Sequence, residues 1–201
     1  MVECRKRTIK WTEDKALYGA ENQMVLGLAG RRIDPVGATE PVFPLENARR
    51  VQERVQRMLL EKNVRILVCS AACGADLIAL QAAETLGLRR RIVLPFNRDQ
   101  FRSSSVIDRP GDWGPIYDRI IADAEIRCDL VDLQLPQSEQ AYGAANSAIL
   151  QEIHRLSNVT GDSGAVALVW NGIAKGKGDN SASLREGARE RGLEVFEVST
   201  L

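Results

Sequence analysis

Met24-Val25-Leu26-Gly27-Leu28-Ala29-Gly30-Arg31 decides the fold. It is a short apolar run that ends in glycine and then charge, the profile of a strand buried on both faces rather than one with a wet side. Working downstream, a Pro/Gly-rich loop spans Arg31 to Phe43. Pro44 to Lys62 then places Leu45, Ala48, Val51, Val55, Met58 and Leu59 at helical spacing, with Pro44 suited to the first turn. Val64 to Ser70 is a second strand, Ala75 to Leu86 a helix stopped by Gly87, and Ile92 to Phe96 a third strand. Asn97 to Gly114 is polar and long enough for a functional loop or lid. The remainder reads as a short helix over Pro115–Ala124, a weak strand over Asp129–Leu133 and a helix over Ser138–Leu156. A strand over Ala165–Trp170, a glycine loop over Asn171–Asn180, a helix over Ser181–Arg191 and a strand over Leu193–Val198 complete it. Upstream, residues 1–22 show no sustained period and are expected to form a leader or arm, leaving 23–201 as one domain.

Strands alternating with helices at this spacing require right-handed crossovers, so the expected class is α/β, doubly wound, with a mostly parallel sheet and helices on both faces. In such a sheet the loops after the strands converge on one edge, where ligands bind. Three loops therefore carry the functional reading. The first is Gly27-Leu28-Ala29-Gly30-Arg31-Arg32: glycine lets the backbone approach a ligand, and Arg31 can fork onto a phosphate. The second, Ser70-Ala71-Ala72-Cys73-Gly74-Ala75-Asp76, leads small residues into a helix whose free N–H groups favour an anion. Asp76, in the first turn, suits either capping or contact with a ligand hydroxyl. The third, Gly172 to Ser181, resembles a phosphate loop in its physics, with Gly178, Ser181 and Lys177 as the candidate cradle. The spacing G-x3-G-K followed by glycine is not the Walker order, and the first loop lacks G-x-G-x-x-G, so neither a Walker ATPase nor a classical NAD site is expected.

The composition excludes several classes. Among 201 residues, 27 Lys and Arg balance 27 Asp and Glu, which leaves no broad basic field for nucleic acid or anionic lipid, while 44% apolar content supports a buried core. No apolar run approaches the ~18 residues of a membrane span, and the start, Met1 to Arg7, lacks the apolar segment of a signal peptide, so a cytoplasmic protein is expected. Cys4, Cys69, Cys73 and Cys128 match no zinc spacing; Cys69 and Cys128 read as small buried hydrophobes, and Cys73 sits in a loop. His154 is the single histidine and no nucleophile motif lies near it. No metal site and no cofactor are expected.

A strand ending Gly-x-x-Gly-Arg, then a helix, a strand ending Ser-x-x-x-Gly-Ala-Asp and running into a helix, a strand ending Leu-Pro-Phe, and a final Ala-Leu-Val-Trp-Asn-Gly followed by Gly-x-Gly-Asp-Asn-Ser and a helix occur here in order over Met24–Val198. Together they resemble the Rossmann-like superfamily, often called SLOG, that includes the DNA-processing protein Smf/DprA and the LOG cytokinin-activating phosphoribohydrolases. The resemblance implies a Rossmann-like nucleotide-binding domain over 23–201. It also implies phosphate and nucleotide contacts at Gly30, Arg31, Ser70, Gly74, Asp76, Gly178, Asp179 and Ser181. Tyr142 and Asn146, one helical turn apart, would add a stacking ring and an amide.

The LOG loop Pro-Gly-Gly-x-Gly-Thr-x-x-Glu has no counterpart glutamate in Lys177 to Arg185; the candidate catalytic carboxylates that remain are Asp76, Asp179 and Glu186. The expectation is a domain that binds a nucleotide or nucleotide-derived small molecule at the strand ends, as a sensor or binding module. A LOG-like hydrolase of the nucleotide N-glycosidic bond, or a protein-interaction module using the leader and the 97–114 loop, are the alternatives. A homo-oligomer is left open; membrane and nucleic-acid partners are not expected.

Overall fold

The computed structural model describes residues 23–174, 176 and 178–201, so the expected leader and Lys177 lie outside the described residues. Six strands form one wholly parallel sheet: β1 (Met24–Gly30), β2 (Val64–Cys69), β3 (Arg89–Leu94), β4 (Leu130–Asp132), β5 (Ser163–Trp170) and β6 (Glu194–Ser199). Their spatial order is β4-β3-β2-β1-β5-β6, with the helices α1 (Ala48–Glu61), α2 (Ala75–Thr85), α3 (Arg98–Ser105), α4 (Trp113–Ile126), α5 (Glu139–Thr160) and α6 (Asn180–Glu190) between them. This is the doubly wound, Rossmann-like α/β fold.

The two faces of the sheet are separated by strand alternation. Leu26, Leu28, Leu67, Cys69, Ala167 and Val169 belong to the core shared with α1, α2 and α4. Their neighbours Val25, Ile66, Val68, Val166, Leu168 and Trp170 face α5 and α6. On α1 the buried stripe is Val51, Val55, Met58 and Leu59, the i, i+4, i+7, i+8 pattern of one helical face. In α2, by contrast, eight of eleven residues are buried, so it is a core helix and not an amphipathic one. A Cβ at Gly30 would collide with the side chain of Ala75 and the backbone of Val169; glycine there lets the start of α2 close onto the end of β1. Gly87 follows α2 at φ 68°, the left-handed stop its position predicts.

Three expectations are corrected. The segment Asn97–Gly114 is not a loop or lid over its length: Asn97 caps α3 by accepting from the amides of Asp99 (2.9 Å) and Gln100 (3.4 Å), and Phe101 and Ser105 are buried. Within α3 the hydroxyls of Ser103 and Ser104 donate to the carbonyls four residues earlier, each at 2.9 Å, which is how a serine run is accommodated in a helix. The third strand begins three residues earlier than expected, at Arg89, because Arg89 and Arg91 pair with Asp129, and Arg90 with Glu84 and Asp123, at the sheet's lower rim. Finally, Cys128 is no buried hydrophobe: it is exposed, in a left-handed turn at φ 57° between α4 and β4. Cys69 is buried as expected, and Cys73 is buried too.

Candidate functional site

The strand order reverses at β1: β2, β3 and β4 lie on one side, β5 and β6 on the other. Such a reversal opens a crevice beyond the carboxyl ends of the two strands that flank it, here β1 and β5. Arg31 leaves the end of β1 into this crevice and is 5% exposed. Its backbone N–H donates to the Val169 carbonyl at 2.8 Å, which continues the β1–β5 ladder and fixes the side chain's root. The guanidinium then reaches the loop after β5. Nε donates to Asn171 Oδ1 at 3.3 Å, Nη2 to the Ile173 carbonyl, and Nη1 pairs with Asp179 Oδ2 at 2.8 Å.

Asp179 is itself buried and caps α6, its Oδ1 accepting from the amides of Ser181 (2.9 Å) and Ala182 (3.2 Å). One carboxylate thus satisfies a buried arginine and two of the helix's free donors together. Gly178, immediately before it, has φ 87° and open space where a Cβ would stand. Ser181 is buried behind the cap.

The β2–α2 loop forms the neighbouring wall. Gly74 has φ 92°, and a Cβ there would stand 2.8 Å from both the Arg31 carbonyl and the Ile33 amide, so only glycine lets the two loops touch. The Ala75 amide donates to the Arg31 carbonyl at 3.1 Å, and the Leu77 amide to the Ala72 carbonyl at 3.2 Å. The Ala72 amide donates to Asp76 Oδ2 at 3.1 Å, so Asp76 ties its own loop across four residues. Burial pushes the Asp76 carboxyl up to about 7, a rise that the Ala72 N–H and the charge of Arg32 only partly oppose. Ser70 follows β2 with its hydroxyl buried and without a hydrogen-bond partner among the described residues.

Tyr142 and Asn146 do share a face of α5, and both are engaged. Tyr142 exchanges a hydrogen bond with Ser105 at 2.9 Å and sets its ring edge-on to Phe96, with centroids 5.5 Å apart. Asn146 donates from Nδ2 to the Asn180 carbonyl at 2.7 Å, which anchors the start of α6. Of the residues the sequence singles out, Arg31, Asp179 and Ser181 therefore form one bonded cluster, with Asn146 anchoring the adjoining Asn180 and Gly30 and Gly74 shaping its walls. Glu186 is not brought in: it is exposed on α6, and Leu184, two residues earlier, fills the core.

Sequence reasoning passed over Trp170 and Arg185. Trp170, the last residue of β5, is 2% exposed, and both guanidiniums lie over its indole: Arg31 at 5.6 Å and Arg185 at 4.8 Å from the ring centroid. Its indole N–H and Arg185 Nε are buried without hydrogen-bond partners among the described residues. The available signal was a tryptophan, with its one obligatory donor, at the carboxyl end of an otherwise aliphatic strand. Among the described residues no group of three or more His, Cys, Asp or Glu is placed to hold a metal ion, and no helix is long and apolar enough to cross a membrane.

No protein-family model matches this sequence, and no curated protein does. Among solved structures, the DNA processing protein A (DprA) from Streptococcus pneumoniae is similar at TM-score 0.52 and 16% identity, over 88% of this chain and 53% of that one. The Moco carrier protein from Chlamydomonas reinhardtii is similar at TM-score 0.33 and 11% identity, over 89% of this chain and 91% of that one. The chain spans about half the length of the DprA structure, and the likeness establishes the Rossmann-like fold.

Proposed function

We propose that the crevice between the ends of β1 and β5 binds a nucleotide or nucleotide-derived phosphate ligand, and that the domain acts as a sensor or binding module. The observation that carries this reading is Arg31. A guanidinium brought into a 5%-exposed position at the reversal of strand order, held by one carboxylate and two neutral acceptors, is the group a phosphate would engage bidentately. Gly74 and Gly30 let the backbone walls stand close enough to enclose such a group, and Gly178 leaves room beside the α6 end. The overall charge balance favours a small ligand over a nucleic-acid strand. DprA-like and LOG-like kinship within the SLOG superfamily is part of this proposal, as is a cytoplasmic site of action.

The experiment is thermal unfolding with AMP, ADP, ATP or cyclic AMP, each set against adenosine. A phosphate-bearing ligand at a hundred times its dissociation constant stabilises by about 2.7 kcal/mol, and the nucleoside by much less. Equal shifts for nucleotide and nucleoside would remove the phosphate from the reading.

One observation favours a second reading, a phosphoribohydrolase-like enzyme. Asp76 is a buried carboxyl whose proton is exchangeable near neutral pH, which suits general acid–base work. Release of free base from AMP that is lost in Asp76→Asn with binding retained would establish hydrolysis. No release above background keeps the domain a binder.

A further inference from the structure

The crevice contains its own anion. Asp179 sits on the donors an incoming phosphoryl group would need: Arg31 Nη1 at 2.8 Å and the amides of Ser181 and Ala182. Around the same indole the charges do not balance. Arg31 and Arg185 both lie over Trp170, yet among the described residues Asp179 is the one carboxylate ion-paired to either, and Arg185 makes no ion pair. Two donors beside them, the Trp170 N–H and Arg185 Nε, are buried with no described acceptor, in a residue only 2% exposed in the case of Trp170. Orphaned buried donors are rare and costly, and their gathering beside a buried cation points to a missing acceptor-rich group. Asp179 alone cannot supply it, since its oxygens are already shared among Arg31 and the α6 amides.

We propose that Asp179 is a resident stand-in for the ligand's phosphoryl group and that binding is an exchange. The incoming phosphoryl oxygens replace the carboxylate on Arg31, and Arg185 with the Trp170 N–H supplies the donors that the carboxylate leaves unused. This rests on the nucleotide-binding reading and adds a regulator to it. A singly charged carboxylate occupies Arg31; a more highly charged phosphoryl group balances both guanidiniums and displaces it. Ahead of the cap, Gly172, Gly176 and Gly178 are all left-handed, and none has an atom near its would-be Cβ. Arg185 and Trp170 are thereby assigned to ligand recognition, a role that no motif in the sequence marks.

The test uses Asp179→Asn, which keeps a good helix cap and removes the charge that competes with the ligand. Calorimetric titrations with AMP and with inorganic pyrophosphate are run on the full chain, on Asp179→Asn, on Arg185→Gln and on the double variant, after circular dichroism confirms that each is folded. The expected result is that Asp179→Asn binds both probes about tenfold or more tightly than the unaltered chain. Arg185→Gln weakens binding in either background, and adenosine distinguishes none of them. Should the unaltered chain bind AMP while a folded Asp179→Asn binds it equally or less well, the exchange is overturned and the nucleotide reading stands. If none of the folded proteins binds either probe, both fall.

Discussion

Asp76 offers a perturbation whose sign and size follow from its surroundings. Burial raises its carboxyl from 3.8 to about 7 in the folded chain, against the ordinary value when unfolded. Between these values the folded protein keeps a proton that the unfolded chain has released, so stability falls as pH rises through the window and levels off above it. At roughly 1.4 kcal/mol per unit, the full displacement corresponds to about 4 kcal/mol, more than half of it lost between pH 5 and 7. The other shifted carboxyls move the opposite way. Glu84 is lowered by its hydrogen bond from Arg119; in Asp123 and Glu152 partial burial pushes upward but is outweighed by Arg127 and Arg90, and by Arg155 and Arg91. Their contributions disappear only as pH falls below the ordinary carboxylate range, outside the window. Asp76→Asn keeps an oxygen to accept from the Ala72 amide and carries no charge, so its stability should be level from pH 5 to 8. At pH 8 it should exceed the unaltered chain by about 1–3 kcal/mol, after allowing for a buried amide donor that needs a partner. Urea unfolding at pH 5, 6, 7 and 8 measures both slopes. A pH slope that persists undiminished in Asp76→Asn would refute the assignment of the linkage to this group.

Arg31→Ala should destabilise the ligand-free protein by about 3–5 kcal/mol, because it strands a buried Asp179 carboxylate, while Arg31→Ala combined with Asp179→Asn should lose clearly less than the two single losses added together. Strict additivity in urea unfolding would mean that the pair is not coupled. Gly74→Ala should cost about 2–4 kcal/mol, since its Cβ meets backbone at 2.8 Å and its φ is 92°, whereas Gly178→Ala, equally left-handed but in open space, should cost only about 1 kcal/mol. Equal losses of melting temperature in the two variants would contradict that placement.

The readable part of this molecule is the part governed by local period. Met24–Gly30 is a strand over the same residues that its apolar run marks, and α1 buries Val51, Val55, Met58 and Leu59 of the stripe seen in the sequence. α3 was hidden because only Phe101 and Ser105 of its eight residues are buried, too few to impose a helical period on a polar stretch rich in serine. The start of β3 was hidden because three arginines do not look like a strand until their acidic partners on α2, α4 and α5 are in place. At the site, the sequence marks Arg31 and the glycine loops, but not that they would be bonded to each other. Arg31 and Asn171 stand 140 residues apart, and no local pattern encodes a pairing across that distance. Trp170 ends the strand that its apolar run marks, but its uncommitted N–H becomes visible only when its surroundings are known.

The position of β1 at the centre of the sheet has a consequence for synthesis of the chain. β1 meets β2 soon after both emerge, but its other neighbour, β5, begins at Ser163, about 90 residues beyond the end of β2. At ribosomal speeds that interval lasts on the order of ten seconds. Throughout it, β1, paired with β2 and only later backed by β3 and β4, presents an apolar, hydrogen-bonding edge along Met24–Gly30, a template for pairing with any other nascent strand. The same edge that later frames the crevice is thus the place where a growing chain is most in need of a chaperone.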